Sequence, residues 1–172
     1  MTLKLTLISV AISCALLACS ETDAPRASAS ENTEIALSDV PQSVTDVVMT
    51  ARSDFMMNEV VKKVRDGRVY YDVEGQLPGG EEIEFDVLMT EQGPQIVEIQ
   101  RDIAFESVPQ NARDVTEKAN KDNLEIVRVI ESVQTDKSII YEVFVAGHPG
   151  DPRFEVRVQD GKAKLLAARW EH

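Results

Sequence analysis

The chain repeats itself, and a repeat limits the folds open to it more than any single motif does. Asp39-Val40-Pro41-Gln42 returns as Ser107-Val108-Pro109-Gln110, an offset of 68. Tyr71-Asp72-Val73 returns as Tyr141-Glu142-Val143 at an offset of 70, and Phe85-Asp86-Val87 as Phe154-Glu155-Val156 at 69. Gly93 maps to Gly161 at 68. Four matches in one order, with offsets that drift by at most two, point to a duplicated unit with small loop insertions.

Each unit opens on a helix signal. Asp39 or Ser107 is suited to cap a helix N-terminus, and Gln42 or Gln110 sits three residues on, where a capping-box partner belongs. Val44, Val47, Val48, Ala51 and Phe55 then share one helical face, and Ala112, Val115 and Ala119 form a narrower one. Strands follow: Val60–Val64, Val69–Val73, Ile83–Val87 and Ile96–Ile99 in the first unit, and Leu124–Ile130, Ile139–Val145, Arg153–Val158 and Ala163–Trp170 in the second. Asp66-Gly67 and Asp160-Gly161 read as hairpin turns. Alternating strands need cover on their apolar face, and the helices supply it. The reading is α+β: two tandem helix-plus-antiparallel-sheet repeats, 36–103 and 104–172, with helices packed on one sheet face.

The first residues are not part of that fold. Lys4, the apolar run Leu5–Leu17 and a small residue before Cys19 make a secretory leader. Leu16-Leu17-Ala18-Cys19 resembles the lipobox of bacterial lipoprotein signal peptides. The resemblance implies a signal peptide over 1–18, cleavage after Ala18 and acyl chains, palmitate among them, on Cys19. Ser20 is not the Asp that favours inner-membrane retention in such lipoproteins. The expected location is therefore the outer membrane, lipid-anchored and facing the periplasm. Residues 19–35 carry the lipid and read as a flexible tether, since Ser20–Glu34 lack large apolar side chains. About fifteen such residues span roughly 20 Å root-mean-square.

Loss of the leader takes Lys4 from the 18 basic residues, leaving 17 against 30 acidic ones and a net charge of −13. That excludes the basic footprint nucleic-acid binding requires. It also favours basic partners. On the lipobox resemblance Cys14 would leave with the leader and Cys19 would be acylated, which leaves no thiol for a disulfide or a thiolate metal site.

The Val-Pro helix start, the Tyr-acid-Val strand and the late Gly turn, in the order helix then strands, resemble PepSY-like domains. Two in tandem resemble the β-lactamase-inhibitor-protein-like arrangement of periplasmic proteins. The resemblance implies a non-enzymatic module whose sheet is available for binding protein.

Chemistry is sparse. His148 lies in a Gly-His-Pro-Gly loop and reads as a surface turn, and His172 as a frayed terminus. Glu82, Glu84 and Asp86 lie on one face of one strand. A straight strand cannot converge the roughly six to eight oxygens Ca²⁺ takes, so these read as a solvated face. No nucleophile elbow, phosphate loop or dinucleotide fingerprint is present. No catalytic residue, metal ligand or cofactor is assigned. Tyr70 and Tyr71 are neighbours on a strand, with Tyr71 expected inside and Tyr70 exposed. Trp170 reads as core or edge cover. Exposed on one sheet face, Tyr70 and Trp170 would be the candidate partner contacts, as aromatics dominate binding hot spots.

The function read from the sequence is a non-catalytic, lipid-anchored periplasmic binding or regulatory module that contacts another envelope protein. Its membrane contact runs through the N-terminal lipid. The alternatives are a passive structural envelope lipoprotein and a hydrolase using His148.

Overall fold

The computed structural model describes residues 31–170; the leader, Cys19 and His172 lie outside the described residues. Nine strands follow one another in a single antiparallel sheet, each paired with its sequence neighbour. They are β1 (Glu31–Glu34), β2 (Met56–Arg65), β3 (Arg68–Gln76), β4 (Glu82–Thr90), β5 (Gly93–Ile103), β6 (Ile126–Gln134), β7 (Ile139–Val145), β8 (Phe154–Gln159) and β9 (Lys162–Leu165). The ten-residue helices α1 (Gln42–Ala51) and α2 (Gln110–Ala119) are the only α-helices among the described residues.

This corrects the α+β reading of two tandem helix-plus-sheet repeats. The protein is mainly β, built on one continuous sheet. The continuity comes from β5 pairing with β6, from Glu98 opposite Gln134 to Ile103 opposite Val129. Separate sheets would leave each of those strands an edge of unpaired N–H and C=O groups, and pairing them removes both edges.

Residues 31–34 correct the tether reading. They form β1 on the free edge of β2, with Glu31 opposite Val64 and Glu34 opposite Val61. Backbone hydrogen bonds hold such a strand without large side chains, so its polar composition hid it. At the other end β9 stops at Leu165, short of the strand predicted to run to Trp170.

Strand alternation sorts the apolar residues onto one face, where the helices lie. Val44 and Val48 of α1 pack with Phe55, Val60, Val73, Phe85 and Val87. Ala112 of α2 packs with Val108, Val129, Tyr141, Val143 and Val156. The helix caps differ from expectation. Each helix starts after its proline, Pro41 or Pro109, with no side-chain cap bond. A proline drives the residue before it into extended backbone, and Val40 and Val108 have ψ of 128° and 136°. Asp39 and Ser107 are thereby held upstream, each closing a short helical turn. Gln42 and Gln110 instead donate forward to Asp46 and Asp114, at 2.9 and 2.6 Å.

The two Asp-Gly hairpins have φ of 52° and 74° at Asp66-Gly67 and 50° and 72° at Asp160-Gly161. Positive φ at both positions is the type I′ turn that matches strand twist.

Candidate functional site

The other face of the sheet carries no helix, and it is acidic. Its composition follows from the repeat motifs themselves. In Tyr71-Asp72-Val73 the Tyr and Val turn toward the helices, so period two turns Asp72 away. Phe85-Asp86-Val87 does the same with Asp86. The register then sets the acids against one another. Asp72 of β3 stands opposite Asp86 of β4, and Asp86 opposite Glu98 of β5. Beside that row, Glu74 stands opposite Glu84. The second half repeats the device, with Glu142 of β7 opposite Glu155 of β8. Like charges directly opposite across strands destabilise a sheet.

The sheet curls around this face. One hollow of about 480 Å³ is lined by residues from Asn32 on β1 through Asp72, Asp86 and Glu98 to Trp170 beyond β9. Enclosure on the concave side explains why Asp72, Asp86 and Glu98 are only 3%, 5% and 3% exposed.

Each half answers its carboxylates differently. Lys63 of β2 pairs with Oδ2 of Asp72, while Oδ1 has no hydrogen-bond partner. Glu98 accepts hydrogen bonds from Ser132 Oγ and Gln134 Nε2, side chains of β6. Glu155 is met by the C-terminal tail. Arg169 Nη1 lies 3.2 Å from its Oε1, and the Trp170 backbone N–H donates to its Oε2 at 2.7 Å. Arg169 also pairs with Asp151, and Arg157 stacks over the Trp170 ring at 4.9 Å.

Burial and crowding raise the proton affinity of this face. Glu84 is pushed from 4.5 up to about 8, by burial first and then by Asp86 and Glu74, against the pull of Lys63. Glu142 is pushed up to about 7, again by burial first and then by Glu98 and Glu155, against Arg169 and Arg128. Burial raises Glu155 as well, opposed by the Trp170 N–H.

The predicted contacts need correction here. Tyr70 is on the bare face as expected, but it is 4% exposed and buried like Tyr71. Arg65 lies 5.5 Å over its ring and Arg68 donates to its hydroxyl at 3.1 Å, so cationic side chains cover it. Trp170 is partly buried at the rim, not in a strand. Glu84 and Asp86 are not a solvated strand face. Asp72 joins them from β3, and carboxylate oxygens of the three lie within 4.8 Å of one another. Three carboxylates, one already holding Lys63, fall short of the oxygen set Ca²⁺ takes. His148 sits in an exposed turn, its N–H bonded to Val145 O at 3.0 Å. Cys19 lies outside the described residues.

Against known proteins, the chain matches no family model and no curated sequence. The signal that marks these residues in the sequence is the acid at the centre of each repeated triplet, which on its own strand looks like ordinary surface charge.

Proposed function

We propose that this protein is a non-catalytic, lipid-anchored binding module of the bacterial envelope, and that the bare concave face of its sheet receives another envelope protein. One observation carries the reading. Both halves keep an acid pair opposed across neighbouring strands, Asp72 with Asp86 and Glu142 with Glu155. A sheet selected for stability alone would not repeat a destabilising arrangement, and local rules are broken at functional sites more than elsewhere. The lipobox at Leu16–Cys19 and the resemblance of the two halves to tandem PepSY-like domains support the envelope setting and the binding role.

Site-specific photocrosslinking tests the reading. A photoreactive residue replaces Gln100, which lines the hollow, or Asp114, exposed on α2. The expected outcome is a reproducible adduct with an envelope protein from Gln100 and none from Asp114. Equal adducts from both positions, or none from Gln100, defeat the choice of face.

A further inference from the structure

Resting on that reading of the bare face, we propose that its occupant is an extended basic segment of the partner, whose Lys or Arg side chains seat at Glu84 in the first half and Glu142 in the second.

Three observations lead there. The first is the imbalance of charge inside the hollow. Among the described residues neither Glu84 nor Glu142 forms an ion pair. Each nevertheless lies within a group of carboxylates, Glu84 beside Asp86 and Glu74, Glu142 beside Glu98 and Glu155. A carboxylate in such company gains most from a cation brought by a ligand.

The second is an unmet acceptor. Asp72, 3% exposed, lines the hollow with its Oδ1 lacking any hydrogen-bond partner. A buried polar atom left without a partner is costly, and a cation seated at Glu84, whose carboxylate lies within 4.8 Å of that of Asp72, offsets that cost through space.

The third is the chain's own tail, which samples the chemistry the face accepts. Arg169 enters against Glu155 while the Trp170 N–H reaches the same carboxylate. A guanidinium side chain, followed by backbone N–H, thus already occupies one end of the acidic face. The rest of the face offers the same carboxylate chemistry to a partner.

The geometry limits the ligand further. β4, which carries Glu84, and β7, which carries Glu142, are three strand spacings apart in the sheet order. At about 4.8 Å per spacing that is about 14 Å across the strands, and the register sets Glu142 two residues along β7 from the level of Glu84, which makes about 16 Å, within reach of long side chains about four residues apart on an extended chain. A segment crossing the strands with cations about four residues apart reaches both positions. Divalent metal ions are the competing occupant, tested alongside.

The test uses the mature lipidated chain in detergent micelles, read by calorimetry and by the fluorescence of Trp170, the single tryptophan. The probes are a decapeptide carrying lysines four residues apart and the same peptide with glutamates in their place. The lysine peptide is expected to bind at least about tenfold more tightly, to weaken with added salt, and to shift Trp170 emission. The titrations are run at pH 9, above the values of about 8 and about 7 that Glu84 and Glu142 reach, and the E84Q/E142Q double variant keeps the shape while removing both charges. It is expected to lose about tenfold in affinity for the lysine peptide, with no loss of thermal midpoint.

Equal binding of both peptides, undiminished binding by the double variant, or no binding of either peptide overturns the basic-segment proposal. So does a rise in thermal midpoint with millimolar Ca²⁺ that the double variant abolishes while the lysine peptide fails to bind, which assigns the acids to a metal. If the Gln100 adduct persists through any of these results, only the chemistry of the partner is wrong. If that adduct is missing as well, the binding-face reading falls with it.

Discussion

The two halves of the sheet keep the same apolar triplet residues in the core and the same opposed acids on the bare face, and they differ at the helix exits and around those acids. Tyr71, Val73, Phe85 and Val87 recur as Tyr141, Val143, Phe154 and Val156, whereas Glu74 and Glu84 give way to Phe144 and Arg153. In the first half Phe55 folds back after α1 over Gly75 of β3 and meets Phe85 edge-on, ring centroids 5.1 Å apart. At the matching positions the second half has Asn123 and Val145. The large side chain has moved from the helix exit to the strand, and Val145 is fully buried. The helix exits diverge too. Asn120 ties down the second by bonding to Leu124 N–H at 2.9 Å and Leu124 O at 2.8 Å. Its counterpart in the first half, Arg52, pairs with Asp54 instead. Cores accept such exchanges when volume is kept. The opposed acid pairs, by contrast, are present in both halves. The acids thus survive beside the core residues of their triplets, although opposed like charges, unlike those core residues, do not help folding.

The sharpest way to break the comparison is to delete matched aromatics. Phe85 is fully buried, whereas its counterpart Phe154 is only partly buried. Phe85→Ala is expected to destabilise by about 4 kcal/mol and Phe154→Ala by about half as much. Urea unfolding with matched slopes checks both. Equal losses mean that the two cores are packed alike.

A smaller effect is expected at Gly75. A Cβ there would collide with Met56 O and lie 2.6 Å from Phe55 Cζ. Gly75→Ala should cost about 2 kcal/mol through overpacking and backbone displacement. Val145→Ala at the matching site should cost about 1 kcal/mol through a small cavity. Thermal melts of the two variants give the ranking. A neutral Gly75→Ala removes the close approach of Phe55 from the account of the first core.

The smallest effects concern the bare face and depend on pH. Folding raises the Glu84 value from 4.5 to about 8 and the Glu142 value from 4.5 to about 7. The folded state then holds protons that the unfolded state has released. The stability linked to each group is fully present below about pH 4.5 and is lost as pH rises, through about 7 for Glu142 and about 8 for Glu84. Glutamine imitates the protonated form. E84Q should therefore match the wild type at pH 4 and exceed it by about 1 kcal/mol at pH 8.5, with E142Q a little lower and saturating earlier. Melts across pH 4 to 9 read this directly. Curves that stay parallel over the whole range would show that the carboxyls are not crowded as the register implies.

Much of this was legible in the chain. The duplication, both helices, the Asp-Gly hairpins and the buried phase of β3, β4, β7 and β8 follow from local spacing. The acids of the candidate site were legible as residues, though not as a site, because each looks like surface charge on its own strand. β1 was missed because backbone pairing leaves no trace in side-chain pattern. Tyr70 was misassigned because alternation says which face a residue takes, not whether that face is open. On a curled sheet the inner face is partly enclosed, and Arg65 and Arg68 cover the ring.

By itself, then, the sequence determined that the Tyr-acid-Val and Phe-acid-Val triplets recur and that they send their acids to the face opposite the core. The physical reason is local: successive side chains of a strand alternate whatever the strand pairs with. Only the tertiary structure decided that the units share one sheet, that Asp72 meets Asp86 and Glu142 meets Glu155, and that the face carrying them is concave. Those depend on register, on the β5–β6 pairing and on twist summed over nine strands. All three arise between residues far apart in the chain.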